Sequence, residues 1–101
     1  MFRGKRYITK NAEDVLPLSL QIQMFDLIEA ARNQIKLDYL QTFKCSIISG
    51  SGNISLQKIV HSQEVPPYKN TINIKCERII NAKVFVIDSG DYCTLMLAEE
   101  Y

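Results

Sequence analysis

The sequence predicts an α+β domain: one N-terminal amphipathic helix packed on a curved antiparallel sheet of five to six strands. Three observations predict it. Between Pro17 and about Ile35 there is no further Pro and no Gly, and apolar residues recur at helical spacing. From Asp38 onward the apolar period drops to two, the spacing of a half-buried strand. Two turn signals, Gly50–Asn53 and Ser89-Gly90, split that second part into hairpins. At 101 residues the chain is a single domain, 1–101, long enough to bury a core without disulfides.

Taken in order, Arg6–Thr9 ("RYIT") is a short β-like run. In the helix, Leu20, Met24, Leu27, Ile28, Ala31 and Ile35 form one apolar stripe, while Gln21, Gln23, Asp26, Glu29, Arg32 and Asn33 mostly fall elsewhere. Glu29 stands three residues before Arg32 and supports the helix locally. Tyr39, Phe43, Cys45 and Ile47 then share one strand face. With the turn centred on Ser51-Gly52, Ile47 faces Leu56 and Phe43 faces Val60, apolar against apolar. That register sets His61 opposite Thr42, pointing away from the core with Gln63. Val65 before Pro66, and the Pro66-Pro67 pair, stop the strand.

In "NTINIKCE" (70–77), Ile72, Ile74 and Cys76 face inward. In the last hairpin Ala82, Val84 and Val86 meet Leu97, Leu95 and Cys93 on one face. Phe85 and Ile87 meet Thr94 and Tyr92 on the other, beside Met96. One helix shields one face. The second face is therefore covered by strong curvature, as in a half-open barrel, or offered to a partner, since large apolar patches mark interaction sites.

Composition narrows the function. Apolar residues at 47% and charged residues at 23% describe an ordinary globular domain. Twelve basic against eleven acidic side chains, a net charge of +1, lack the excess of a typical nucleic-acid binder. The basic beginning (Arg3, Lys5, Arg6, Lys10) and the acidic end (Glu99, Glu100) suit neighbouring terminal strands. A weak nucleic-acid site through the four basic residues is an alternative. Cys45, Cys76 and Cys93 follow no metal-ligand spacing and one histidine does not complete a zinc site, so no metal or other cofactor is expected. They read as buried hydrophobes of a reducing cytoplasm. No apolar run approaches the roughly 20 residues of a membrane span.

No catalytic motif occurs. His61 and Glu64 leave an extended strand on opposite faces, poor geometry for a base and its orienter, which leaves a small hydrolase using His61 as an alternative only. "DSGD" (88–91) reads as a tight turn and not a calcium loop.

"LDYLQTF" (37–43), "IVHSQEVPPY" (59–68) and "KVFVIDSGDYCTLMLAEEY" (83–101) resemble a family of short uncharacterised proteins of Gram-positive bacteria, of staphylococcal type, held together as a domain of unknown function. The likeness covers nearly the whole chain. The family pattern carries a histidine in the turn after the penultimate strand, where this chain has Asp91-Tyr92-Cys93. The resemblance implies no activity. It leaves open a mobile-element-encoded inhibitor of an RNA-guided defence nuclease, anti-CRISPR-like, whose partner would be a nuclease bound to nucleic acid.

The expectation is a non-enzymatic, cytoplasmic protein-binding or regulatory module that occupies a larger protein or forms a homodimer. Phe85, Ile87, Tyr92 and Met96 are its anchors, with His61, Gln63, Glu64 and Tyr68 as a polar neighbouring surface.

Overall fold

The computed structural model describes residues 1–49, 55–75 and 78–101. The chain runs β1 (Lys5–Ile8), α1 (Lys10–Val15), α2 (Leu18–Arg32), β2 (Leu40–Ser49), β3 (Ser55–Gln63), β4 (Tyr68–Ile74), β5 (Ala82–Asp88), β6 (Tyr92–Leu97) and a 3₁₀ turn at Ala98–Glu100. The strands lie in the order β1-β6-β5-β2-β3-β4. β1 and β4 are opposite edges, so the sheet is open and does not close into a barrel. It is also mixed: β1 runs parallel to β6, and the other pairings are antiparallel.

The expected single helix is two. Thr9 caps α1, its hydroxyl oxygen accepting from the Ala12 amide at 3.2 Å, and Pro17 follows the helix end. The Thr9 hydroxyl also donates to Glu100 Oε1 at 2.7 Å, and that oxygen accepts from the Leu97 amide at 2.9 Å. These bonds hold the Glu100 carboxyl below its ordinary pKa, the Thr9 contact contributing most. The two ends of the domain thus meet at β1 and β6, as the terminal charges suggest.

In α2 the predicted stripe is the packed one: Leu20, Met24, Leu27, Ile28 and Ala31 are buried, and Ile35 packs against them from just beyond the helix. The predicted Glu29–Arg32 support is present, with Arg32 Nε and Nη2 donating to the two carboxylate oxygens at 3.1 and 3.0 Å. Ala12 and Leu16 of the α1 segment join the stripe over Phe43, Cys45, Ile59, Val84, Val86, Cys93, Leu95 and Leu97 of the sheet. The core is this one layer, between helices and one sheet face.

The β2–β3 hairpin forms, but one residue out of the expected register. Phe43 faces His61 instead of Val60, and Ile47 faces Gln57 instead of Leu56. Period two turns that step into an exchange of faces along β3. Ile47 is 46% exposed, and the inward side of these strands carries Gln41, Gln57, His61 and Gln63, all buried. The polar set is admissible because its groups find partners, which offsets their desolvation. Gln57 shows how: its Nε2 donates to the carbonyls of Ser46 (2.8 Å) and Ile80 (3.1 Å), and its Oε1 accepts from the Ile80 amide (2.8 Å). It clamps the connection between β4 and β5. The turn predicted at Gly50–Asn53 and the inward Cys76 lie outside the described residues.

The β5–β6 hairpin is displaced by two residues, with Val84 opposite Leu97 and Phe85 opposite Met96. An even shift preserves the faces. Val84, Val86, Cys93 and Leu95 are buried as expected, and Ile72 and Ile74 of β4 also pack on the core.

Candidate functional site

His61 is an interior group. It is fully buried, and its Nε2 lies 2.6 Å from Gln41 Oε1. The Gln41 amide nitrogen is committed as a donor to the Asp38 carbonyl (2.9 Å) and to Gln63 Oε1 (2.8 Å). Its oxygen therefore accepts, and the imidazole carries its proton on Nε2. Nδ1 is buried without a hydrogen-bond partner. Phe43 stacks on the ring and Tyr68 meets it edge-on, with 5.6 Å between centroids. Burial pushes the histidine pKa down to about 4, so the imidazole is neutral at physiological pH.

Gln63 completes the network. Its Oε1 also accepts from the Asp38 amide at 3.0 Å, and its Nε2 donates to the carbonyls of Lys36 (3.0 Å) and Pro66 (2.9 Å). The linker into β2 and the turn out of β3 are pinned together. His61 and Gln63 were expected on a polar surface, with Tyr68 beside them. They lie on the helix-covered side instead, and Tyr68 is packed against the core. Glu64 alone of that set is exposed. Cys45, expected on the face opposite His61, shares its face. Among the described residues no three His, Cys, Asp or Glu side chains gather into a metal-holding group. No described helix is long and apolar enough to cross a membrane.

Among the described residues the second sheet face carries no helix. Alternation places Tyr92, Thr94 and Met96 of β6, Phe85 and Ile87 of β5, and Leu40 and Thr42 of β2 on it. Phe85, Ile87 and Met96 are only half-buried, stand outside the core cluster, and Tyr92 is 44% exposed. Tyr101 meets the Phe85 ring edge-on at 5.5 Å and hydrogen-bonds Tyr39, which raises the Tyr39 pKa. Lys83 Nζ sits 5.5 Å from the Phe85 centroid, and Tyr7 meets Tyr92 edge-on at 5.5 Å.

The basic beginning is divided. Arg6 turns to the helices, 4.6 Å above Phe25 and 3.9 Å from Glu29, while Lys5 alternates to the open face and Lys10 opens α1. Between β1 and α2 lies a groove of about 260 Å³ lined by Leu18, Ile22, Phe25, Tyr7 and Ile8. Leu18 and Ile22 are 68% and 53% exposed, and with Phe25 they make a second helical stripe beside the buried one.

A family model described as "Staphylococcal protein of unknown function (DUF960)" matches residues 5–100. The chain belongs to this family. The match runs from β1 into the closing 3₁₀ turn and so takes in both sheet faces. No curated protein matches the chain. A crystal structure of a protein of unknown function from Enterococcus faecalis is similar, with a TM-score of 0.77 at 20% identity, over 97% of this chain and 91% of that one. At that identity the likeness is one of fold. The fold of this DUF960 member is therefore also that of a protein solved by crystallography.

Proposed function

We propose that this protein is a binding module that carries out no chemistry of its own and engages a macromolecular partner through the helix-free face of its sheet. The observation that carries the reading is the one-sided core. Both helices pack on the same face, which leaves Phe85, Ile87, Met96 and Tyr92 on the other, outside the core cluster. Contiguous apolar surface on a folded chain is costly to keep in water and is characteristic of interaction sites. The residue with acid–base chemistry, His61, is enclosed, and one of its ring nitrogens is held by Gln41.

The test compares co-purification from native-host lysate, with and without nuclease treatment, for the wild type and for the Phe85→Ala/Tyr92→Ala variant. A partner recovered by the wild type and lost from the still-folded variant supports the open face. Equal recovery by both removes it. Ile22→Asp, in the groove beside α2, serves as the control and is expected to retain the partner.

A further inference from the structure

A net charge of +1 conceals a separation of charge across the sheet. The six strands together contain one carboxylate, Asp88, whose Oδ1 accepts from the Phe2 amide at 3.0 Å. Glu13, Asp14, Asp26 and Glu29 are on the helices. The open face, by contrast, carries Lys5, Lys44, Lys58, Lys69 and Lys83. Lys44 stands directly opposite Lys83 across β2 and β5. Lys58 is diagonal to Lys44, two residues before its partner Val60, and Lys69 faces Ser62 across β3 and β4. Among the described residues the ion pairs run only from Glu29 to Arg6 and Arg32, so none of these lysines is neutralised by one. Asp38 and Glu64 stand at the border of the face, where with Lys83 and Thr42 they line a pocket of about 240 Å³.

Lys44, Lys58 and Lys69 occupy the β2–β3–β4 side, interspersed with Val60 and the hydroxyls of Thr42, Ser46, Ser62 and Thr71, while Lys5 stands on β1 opposite Tyr92. Phe85 and Tyr92 occupy the β5–β6 side, with Lys83 above the Phe85 ring where the two meet. The surface thus offers unpaired cations and hydroxyl donors in one band and flat rings in the next. Its complement is a polymer with an anion along one side and a flat ring along the other. Resting on the proposal that the open face is the binding surface, we infer that its occupant is single-stranded nucleic acid. Phosphates lie over Lys44, Lys58, Lys69 and Lys83, and bases stack toward Phe85. A duplex hides its bases and fits this face poorly, and an acidic protein segment matches the lysines but gives the rings no flat partner.

The experiment is fluorescence anisotropy of the full chain with fluorescein-labelled 20-mers of dT and U, titrated with salt. Both are expected to bind, with log K falling on log salt at a slope of about −3 for four single-strand phosphate contacts. Lys44→Glu/Lys83→Glu is expected to weaken binding at least tenfold and to flatten the slope by more than one. Phe85→Ala is expected to weaken it about tenfold at an unchanged slope, since stacking releases no counterions. Lys10→Glu/Lys36→Glu, away from the sheet face, is the control and stays within twofold. Circular dichroism melts establish that each variant is folded. No binding at 50 mM salt, binding indifferent to Lys44 and Lys83, or tighter binding of a labelled polyglutamate would each overturn the inference. The binding-module proposal survives that result if the Phe85→Ala/Tyr92→Ala variant still loses its partner, and falls with it if that variant does not.

Discussion

The ring of His61 lies parallel to that of Phe43, its partner across β2 and β3, with 4.5 Å between centroids and 9° between planes. The stacking encloses an imidazole whose neutral form is preferred, the pKa standing at about 4 against an ordinary 6.5. Between those values the unfolded chain takes up a proton that the folded chain refuses. The stabilisation is whole above pH 6.5, declines as the pH falls, and levels off once the folded form protonates near 4. Over that window it amounts to roughly 3 kcal/mol. Denaturant titrations at pH 7, 6, 5 and 4 check it, and His61→Phe is expected to remove most of the slope above pH 4.5. A wild-type stability flat from pH 7 to 4.5 contradicts the enclosed neutral ring.

Gln63 has the most to lose on truncation. Gln63→Ala leaves the carbonyls of Lys36 and Pro66 without their donor and takes the acceptor from Asp38 and Gln41. The expected cost is about 1–3 kcal/mol, since the bond to Gln41 is buried while those to Lys36, Pro66 and Asp38 are part-buried and open to replacement by water. A double-mutant cycle with Gln41→Ala should couple by at least about 0.5 kcal/mol, since the two amides share one bond. Additive losses below about 1 kcal/mol would mean that the network does not hold the linker to the turn.

The same network explains what the sequence concealed. Period and turn chemistry were enough to read α2, its buried stripe, the strands and the inner face of β5–β6. Phe85, Ile87, Tyr92 and Met96 were placed on the uncovered face for the same reason, an even displacement leaving alternation intact. The β2–β3 register was misread because pairing apolar with apolar brings Leu56 and Val60 inside, where the structure puts them on the other face. The fold instead buries Gln41, Gln57, His61 and Gln63, whose partners come from segments distant in sequence. No local pattern announces such bonds. Helix α1 did leave a signal, Thr9 followed by Glu13 in the first turn and a closing Pro17, a capped start and a hard stop. The lysine face was hidden by the balance of total charge, which sums over faces that the fold separates.

Gly4 fixes the start of β1. A β-carbon there would collide with the backbone carbonyl of Asp91, an atom with no rotamer to yield. Phe2, buried in the core at a φ of 58°, depends on that close approach, as does its amide bond to Asp88. Gly4→Ala should therefore detach the first residues and cost about 2 kcal/mol or more, the transfer free energy of one large apolar side chain. The check is a thermal melt beside Phe2→Ala. The two single losses should be similar and the double variant little worse than either. An undisturbed melt for Gly4→Ala would refute the close packing.

Lys44 and Lys83 are directly opposite on exposed strand positions, an arrangement that repels in the isolated protein. Lys44→Glu converts the pair to opposite charges and is expected to stabilise the fold by roughly 0.2–1 kcal/mol. The gain should shrink in high salt, where exposed charges are screened. Oligonucleotide binding should fall in the same variant. A substitution that strengthens the fold while weakening a polyanion's hold separates the ligand's requirement from the fold's, because a charge kept for stability alone would move both in one direction. Urea midpoints at low salt and at 1 M salt decide the first half. A variant less stable than wild type at low salt would show that the two ammonium groups do not burden each other, and the case for a face held open for phosphates would lose its energetic footing.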